Sequence, residues 1–135
     1  MASTRQELET KLSIFAASQN PPLAVAWENV PFTRPTGVPW LECYLISAST
    51  VAVTVAGTRN RERGSLAVNV WWPSGQGVGG IDSLAAQIVA LYPVVPKTGN
   101  VSIEQPGNTS KLMYDQAGWV AISCVMPYRV ETSTI

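Results

Sequence analysis

No histidine occurs anywhere in the 135 residues. General acid–base work near neutral pH and zinc coordination both lose their commonest side chain, and a cysteine nucleophile would have no imidazole to activate it. No clustered pair of carboxylates offers an acid and a base in its place, so neither an enzyme nor a metal or cofactor site is expected. Charge is scarce too. Nine basic and nine acidic residues cancel and make up 13% of the chain, against about 25% in an average soluble domain. That balance excludes a global attraction to nucleic acid, anionic membrane or acidic substrate and leaves only local patches. A surface so sparsely charged points to contact with other subunits. Cysteine is limited to Cys43 and Cys124, both in apolar, strand-like stretches that suit reduced buried thiols rather than a disulfide or metal ligands. No apolar run approaches the roughly 18 residues of a membrane span, and the start of the chain lacks a basic segment followed by an apolar one. A cytoplasmic protein with no membrane contact is expected, which makes Asn100-Val-Ser and Asn108-Thr-Ser chance matches to the glycosylation pattern.

What the chain does have is concentrated between Ala26 and Tyr44, where Trp27, Phe32 and Trp40 are interleaved with Pro31, Pro35 and Pro39. Each proline fixes φ and removes a backbone donor, so this stretch reads as an extended connection that crosses the domain without joining a sheet. The aromatic side chains would pin it to the core.

The length suits one domain spanning residues 1–135. Leu8, Leu12 and Phe15 form one stripe of an opening helix from about Ser3 to Ala17, with Thr4 and Glu7 as a capping box and a stop at Asn20-Pro21-Pro22. Strands are expected at Leu23 to Trp27, Trp40 to Ser47, Thr50 to Ala56 and Ser65 to Trp72, with a hairpin at Ala48-Ser49. In the fourth, Leu66, Val68, Val70 and Trp72 share one face, the period-two pattern of a sheet lying on a core. Ile81, Leu84, Ile88, Leu91 and Tyr92 define a second helix ending at Pro93. Strands at Asn100 to Gln105 and Trp119 to Val130 follow, separated by a polar loop from Pro106 to Ala117. The fold class is α+β: two helices packed on one mainly antiparallel or mixed sheet.

Three local features bear on function. Gly75-Gln-Gly77-Val-Gly79-Gly80 satisfies G-x-G-x-x-G between a strand and a helix, and amides at a helix start can hold a phosphate. It lacks an acidic ribose partner about 20 residues on and the Lys-Ser/Thr of a P-loop, so a turn-forming surface loop is the better reading and a small nucleotide-binding protein a distant one. Trp71 follows the core pattern out of phase, which places it on the outer face with Ala67 and Asn69, where a partner subunit or a covering segment must shield it. Finally, Arg59, Arg61 and Arg63 alternate between Gly57 and Gly64 at the tip of a long hairpin, sharing one side if extended.

The order Trp27-Glu-Asn-Val-Pro-Phe32, then Pro35, Gly37, Pro39, Trp40 and Leu41, resembles the opening of the tail-terminator-like proteins of long-tailed phages and prophages. The similarity continues through Arg63-Gly64, the strand to Trp72, the glycine loop, and the closing strand with Met126-Pro-Tyr-Arg129. The resemblance implies a structural virion protein of the tail, assembled in the host cytoplasm. It would form a hexameric ring that caps the tail tube, stops its polymerisation and offers a head-joining surface. Implied partners are further copies of itself, the tail tube protein and the neck or head–tail connector protein. Passing DNA would be met non-specifically by a lumen carrying Arg59, Arg61 and Arg63. Interface residues would be Trp71 and Asn69 with the loops around Gly77 and Gly79 and from Pro106 to Ala117. A neck or head-completion protein shares the same outline.

Overall fold

Leu8, Leu12 and Ala16 recur every fourth residue, and this spacing puts all three under the sheet when Thr4–Ser18 winds into helix α1. The computed structural model describes residues 4–19, 22–35, 37–52, 59–75, 77, 79–94, 101–115 and 118–133. After α1 come strands β1 (Ala24–Trp27), β2 (Trp40–Ala52) and β3 (Arg59–Pro73), helix α2 (Gly79–Ala90), and strands β4 (Val101–Ile103), β5 (Asn108–Thr109), β6 (Met113–Asp115) and β7 (Trp119–Ser133). No helix among the described residues is long and apolar enough to cross a membrane.

All strands belong to one mixed sheet in the order β1-β2-β3-β7-β4, with β5 and β6 also paired to β7. β1 runs parallel to β2 and every other pair is antiparallel. A parallel pair cannot be closed by a tight turn, which is why the proline-rich segment between Trp27 and Trp40 has to be long. It leaves β1 through a turn in which Val30 N–H donates to the Trp27 carbonyl at 3.3 Å and Asn29 takes a φ of 58°, a left-handed conformation that asparagine tolerates. As expected, the described part of this segment crosses without joining the sheet. Phe32 packs its ring 5.0 Å from that of Trp40.

Period-two alternation divides the sheet. Leu41 and Cys43 of β2, Leu66, Val68 and Val70 of β3, and Val120, Ile122, Cys124 and Met126 of β7 are buried in one cluster with Leu8, Leu12, Ile81, Leu84 and Ile88 of the helices. Both helices therefore cover the same face. They are tied to each other where α2 ends: Tyr92 Oη donates to the Leu8 carbonyl at 2.7 Å, and Lys11 Nζ donates to the Leu91 carbonyl at 2.9 Å, a cation at the negative end of a helix. Cys43 and Cys124 are free and buried, as their apolar setting required.

Several boundaries differ from expectation. β2 is continuous through Ala48-Ser49, because a bulge between Ser47 and Ser49 absorbs the irregularity that reads as a turn. β3 begins at Arg59 rather than Ser65. The three arginines therefore stand in a strand between two partners, and the connection at the hairpin end, residues 53–58, lies outside the described residues. β7 continues to Ser133. α2 starts and ends two residues earlier than its apolar pattern suggests, leaving Tyr92 beyond the helix. The polar stretch from Pro106 contains β5 and β6, too short to carry any periodicity. Ser3 of the expected first helix, and the side chain of Thr4 in its capping box, lie outside what is described.

Gly64 marks a close approach in the long hairpin. A side chain there would meet the Ile46 carbonyl oxygen and come within 2.6 Å of Tyr128 Oη, so only glycine lets Tyr128 lie across β3.

Candidate functional site

The helices leave the opposite sheet face open, and register decides what stands on it. Trp40 pairs with Trp71, Glu42 with Asn69 and Tyr44 with Ala67, while Trp71 pairs with Ala121 and Asn69 with Ser123. Directly opposed residues share a face, so the first half of β2 and the second half of β3 bring an aromatic and polar cluster together. Trp40 and Trp71 stack with centroids 5.4 Å apart and planes 7° from parallel, and Trp119 meets Trp40 edge-on at 6.2 Å. Arg34 from the proline-rich segment lies over both stacked rings, 5.4 Å from Trp40 and 5.3 Å from Trp71. Glu42 Oε1 accepts from Asn69 Nδ2 at 2.8 Å and from Trp71 Nε1 at 3.4 Å. Trp40 is 3% exposed, and its buried Nε1 has no hydrogen-bond partner among the described residues.

Trp71 and Asn69 thus stand on the outer face that alternation assigns to them. The half-buried Trp71 is shielded on one side by Trp40 and Arg34, a covering segment from within the chain. Sequence reasoning missed Trp40, Glu42 and Arg34 as its neighbours, because only the β2–β3 register brings the first two face to face with β3, and only the path of the proline-rich segment lays Arg34 over the rings. Gly77 and Gly79 both lie beyond the end of β3: Gly77 stands in the connection to α2, and Gly79 is the first residue of that helix. Gly77 has a φ of 77° and both are exposed, whereas Gln76 and Val78 lie outside the described residues. β3 and β4, on either side of α2, are both antiparallel to β7 and so run parallel with β7 between them, which is not the pair of adjacent parallel strands of a dinucleotide-binding unit. Gly80 has a packing reason instead: a side chain there would come within 2.5 Å of Trp72 Cζ2.

At the other end of the face, Arg61 is half-buried and Arg63 exposed, while the Arg59 side chain lies outside the described side chains. Arg63 Nε donates to Glu104 Oε1 at 2.8 Å, across the intervening β7. Glu104 and Arg129 are further members of this site. The only sequence signal was the Met126-Pro-Tyr-Arg129 motif, which carried no assignment for the arginine.

Burial pushes the Cys43 thiol up to about 12 and the Cys124 thiol up to about 11, which disfavours the reactive thiolate. Glu28 is held below the usual carboxylate range by the Arg5 guanidinium at 2.7 Å and by the Leu45 N–H. That triangle joins α1, the turn after β1 and β2. Among the described residues no group of three or more acidic or thiol side chains could hold a metal ion.

A family model described as phage tail terminator protein matches residues 4–128. A solved structure with 30% sequence identity superposes with a TM-score of 0.78, over 97% of this chain and 95% of the other. No curated protein matches the sequence.

Proposed function

The chain belongs to the phage tail terminator family, a structural component of the phage tail, and on that premise we propose that it caps the tail tube as a hexameric ring. The observation that carries the reading is the family match along nearly the whole chain. The open sheet face supplies the means. A single-layered sheet with helices on one side leaves Trp71, Asn69 and their neighbours for contact with a second protein surface, and the low charge of the chain suits such burial.

The mechanism is steric. A ring whose one face matches the last tube ring, while its other face cannot receive a further tube subunit, ends growth without chemistry. The free face then serves the neck protein of the head. In this reading Trp71 and Asn69 contact neighbouring copies, and the exposed Gly77 and Gly79, at the start of α2, contact the tube or the neck. DNA passing through the ring would meet Arg59 and Arg61 non-specifically through its phosphates. Arg63 is turned toward Glu104. The protein acts in the virion after assembly in the host cytoplasm.

Electron microscopy of lysates from a phage with a stop codon in this gene tests the proposal. Tubes of uncontrolled length without heads are expected. Tails of normal length that fail to join heads would move the protein to the neck, and normal particles would overturn the assembly role.

A further inference from the structure

Arg63 and Arg129 are directly opposed across β3 and β7, and Ser102 of β4 is opposed to Arg129 in turn. All three share the outer face. Cross-strand neighbours have Cβ atoms about 5 Å apart, and like charges so placed destabilise a sheet. Glu104 relieves half of this conflict through Arg63 Nε. Among the described residues Arg129, which is half-buried, makes no ion pair. Both arginines open into a cleft of about 530 Å³ whose wall also carries Ser102, Glu104 and Gln105.

We propose that this cleft is a binding site for an acidic side chain of a docked protein subunit, its carboxylate held between Arg63 and Arg129. Three observations favour a protein carboxylate over a nucleic-acid phosphate. The cleft already holds one carboxylate, Glu104, on Arg63, so the chemistry of the pair is demonstrated within the chain. That same Glu104 lines the wall and repels a polyanion more strongly than it repels a single charge. The chain carries no net positive charge to draw in a duplex. A second carboxylate would complete an alternating row of Glu104, Arg63, ligand and Arg129, with Ser102 as a further donor. Planar guanidinium groups suit this, because they grip a carboxylate through paired N–H donors. The assembly role supplies neighbouring subunits, but the site rests on its own geometry and its test reads the site alone.

The test is a titration of ¹⁵N-labelled protein, following the Nε–Hε signals of Arg63 and Arg129. The probes are a blocked Gly-Glu-Gly tripeptide, its Gln counterpart, inorganic phosphate and a 20-base-pair duplex. The glutamate tripeptide is expected to shift both signals and the Gln counterpart neither. Arg129→Gln should abolish the shift, and Glu104→Gln should tighten binding about threefold by removing a like charge. If Arg129→Gln does not fold, Arg129→Lys keeps the charge without the planar fork and should weaken binding. Shifts produced by the duplex or phosphate at lower concentration than by the tripeptide would make this a nucleic-acid site and overturn the proposal. So would the absence of any shift.

Discussion

Trp40 and Trp71 stack face to face on the sheet surface that the helices leave uncovered, and Arg34 bridges the pair from the proline-rich segment. The two rings differ in one respect. Trp71 donates its indole N–H to Glu42, whereas the buried Trp40 N–H has no partner among the described residues.

Replacing each ring should therefore have unequal effects. Trp71→Ala removes the stack and the indole bond and should destabilise by about 2 kcal/mol, less than a fully buried tryptophan because the ring is half-exposed. Trp40→Phe also loses area, but it removes an unsatisfied donor, so the net change should stay within about 1 kcal/mol. Urea denaturation of both variants measures the contrast. Trp71→Glu, if folded, should also weaken self-association at high concentration, which light scattering would record.

The Arg5–Glu28 pair sets a pH dependence. Its bonds to Arg5 and Leu45 N–H hold the folded carboxyl below its ordinary value of 4.5. A depressed folded value means the contribution is fully present above that ordinary value and is lost as pH falls through the lower, folded one. Both partners are well exposed, so Glu28→Gln should cost no more than about 1 kcal/mol at pH 7. The difference between wild type and variant should shrink as the pH is taken below 4.5, as thermal melts across that range would show.

Gly64→Ala should destabilise by about 2 to 3 kcal/mol, because the new methyl group meets a backbone carbonyl that cannot rotate aside. Circular dichroism melts would detect a loss of that size. A variant as stable as wild type would mean that both the Ile46 backbone and Tyr128 can give way.

The two thiols should be silent in the native protein. With Cys43 raised to about 12 and Cys124 to about 11 by burial, a disulfide reagent at pH 8 should label neither until denaturant is added, and both thereafter. Rapid native labelling of either would contradict its place in the core.

How much of this was legible in the sequence follows from the range of the forces involved. The stripe of Leu8 and Leu12, the alternation from Leu66 to Trp72 and the outward place of Trp71 are patterns within one element, and the structure bears them out. Ala48-Ser49 looked like a turn because small polar residues signal turns locally, yet hydrogen bonds from β3 carry the strand through. β5 and β6 exist only because β7 offers them an edge. The Arg63–Glu104 pair spans 41 positions, and no local spacing announces it. The site residues that were missed are those whose partners are supplied by register alone.

The arrangement around β7 also has a meaning in time. Residues 119–133 follow β3, β4, β5 and β6 in the chain and are the partner of all four. While the chain is being made, those strands emerge before the one that joins them, and pairings this distant in sequence close slowly. Until β7 arrives, one edge of β3 has no strand to pair with. The sheet is thus completed only once residues 119–133 have been made, and a chain that lacks them leaves β3, β4, β5 and β6 without their shared partner.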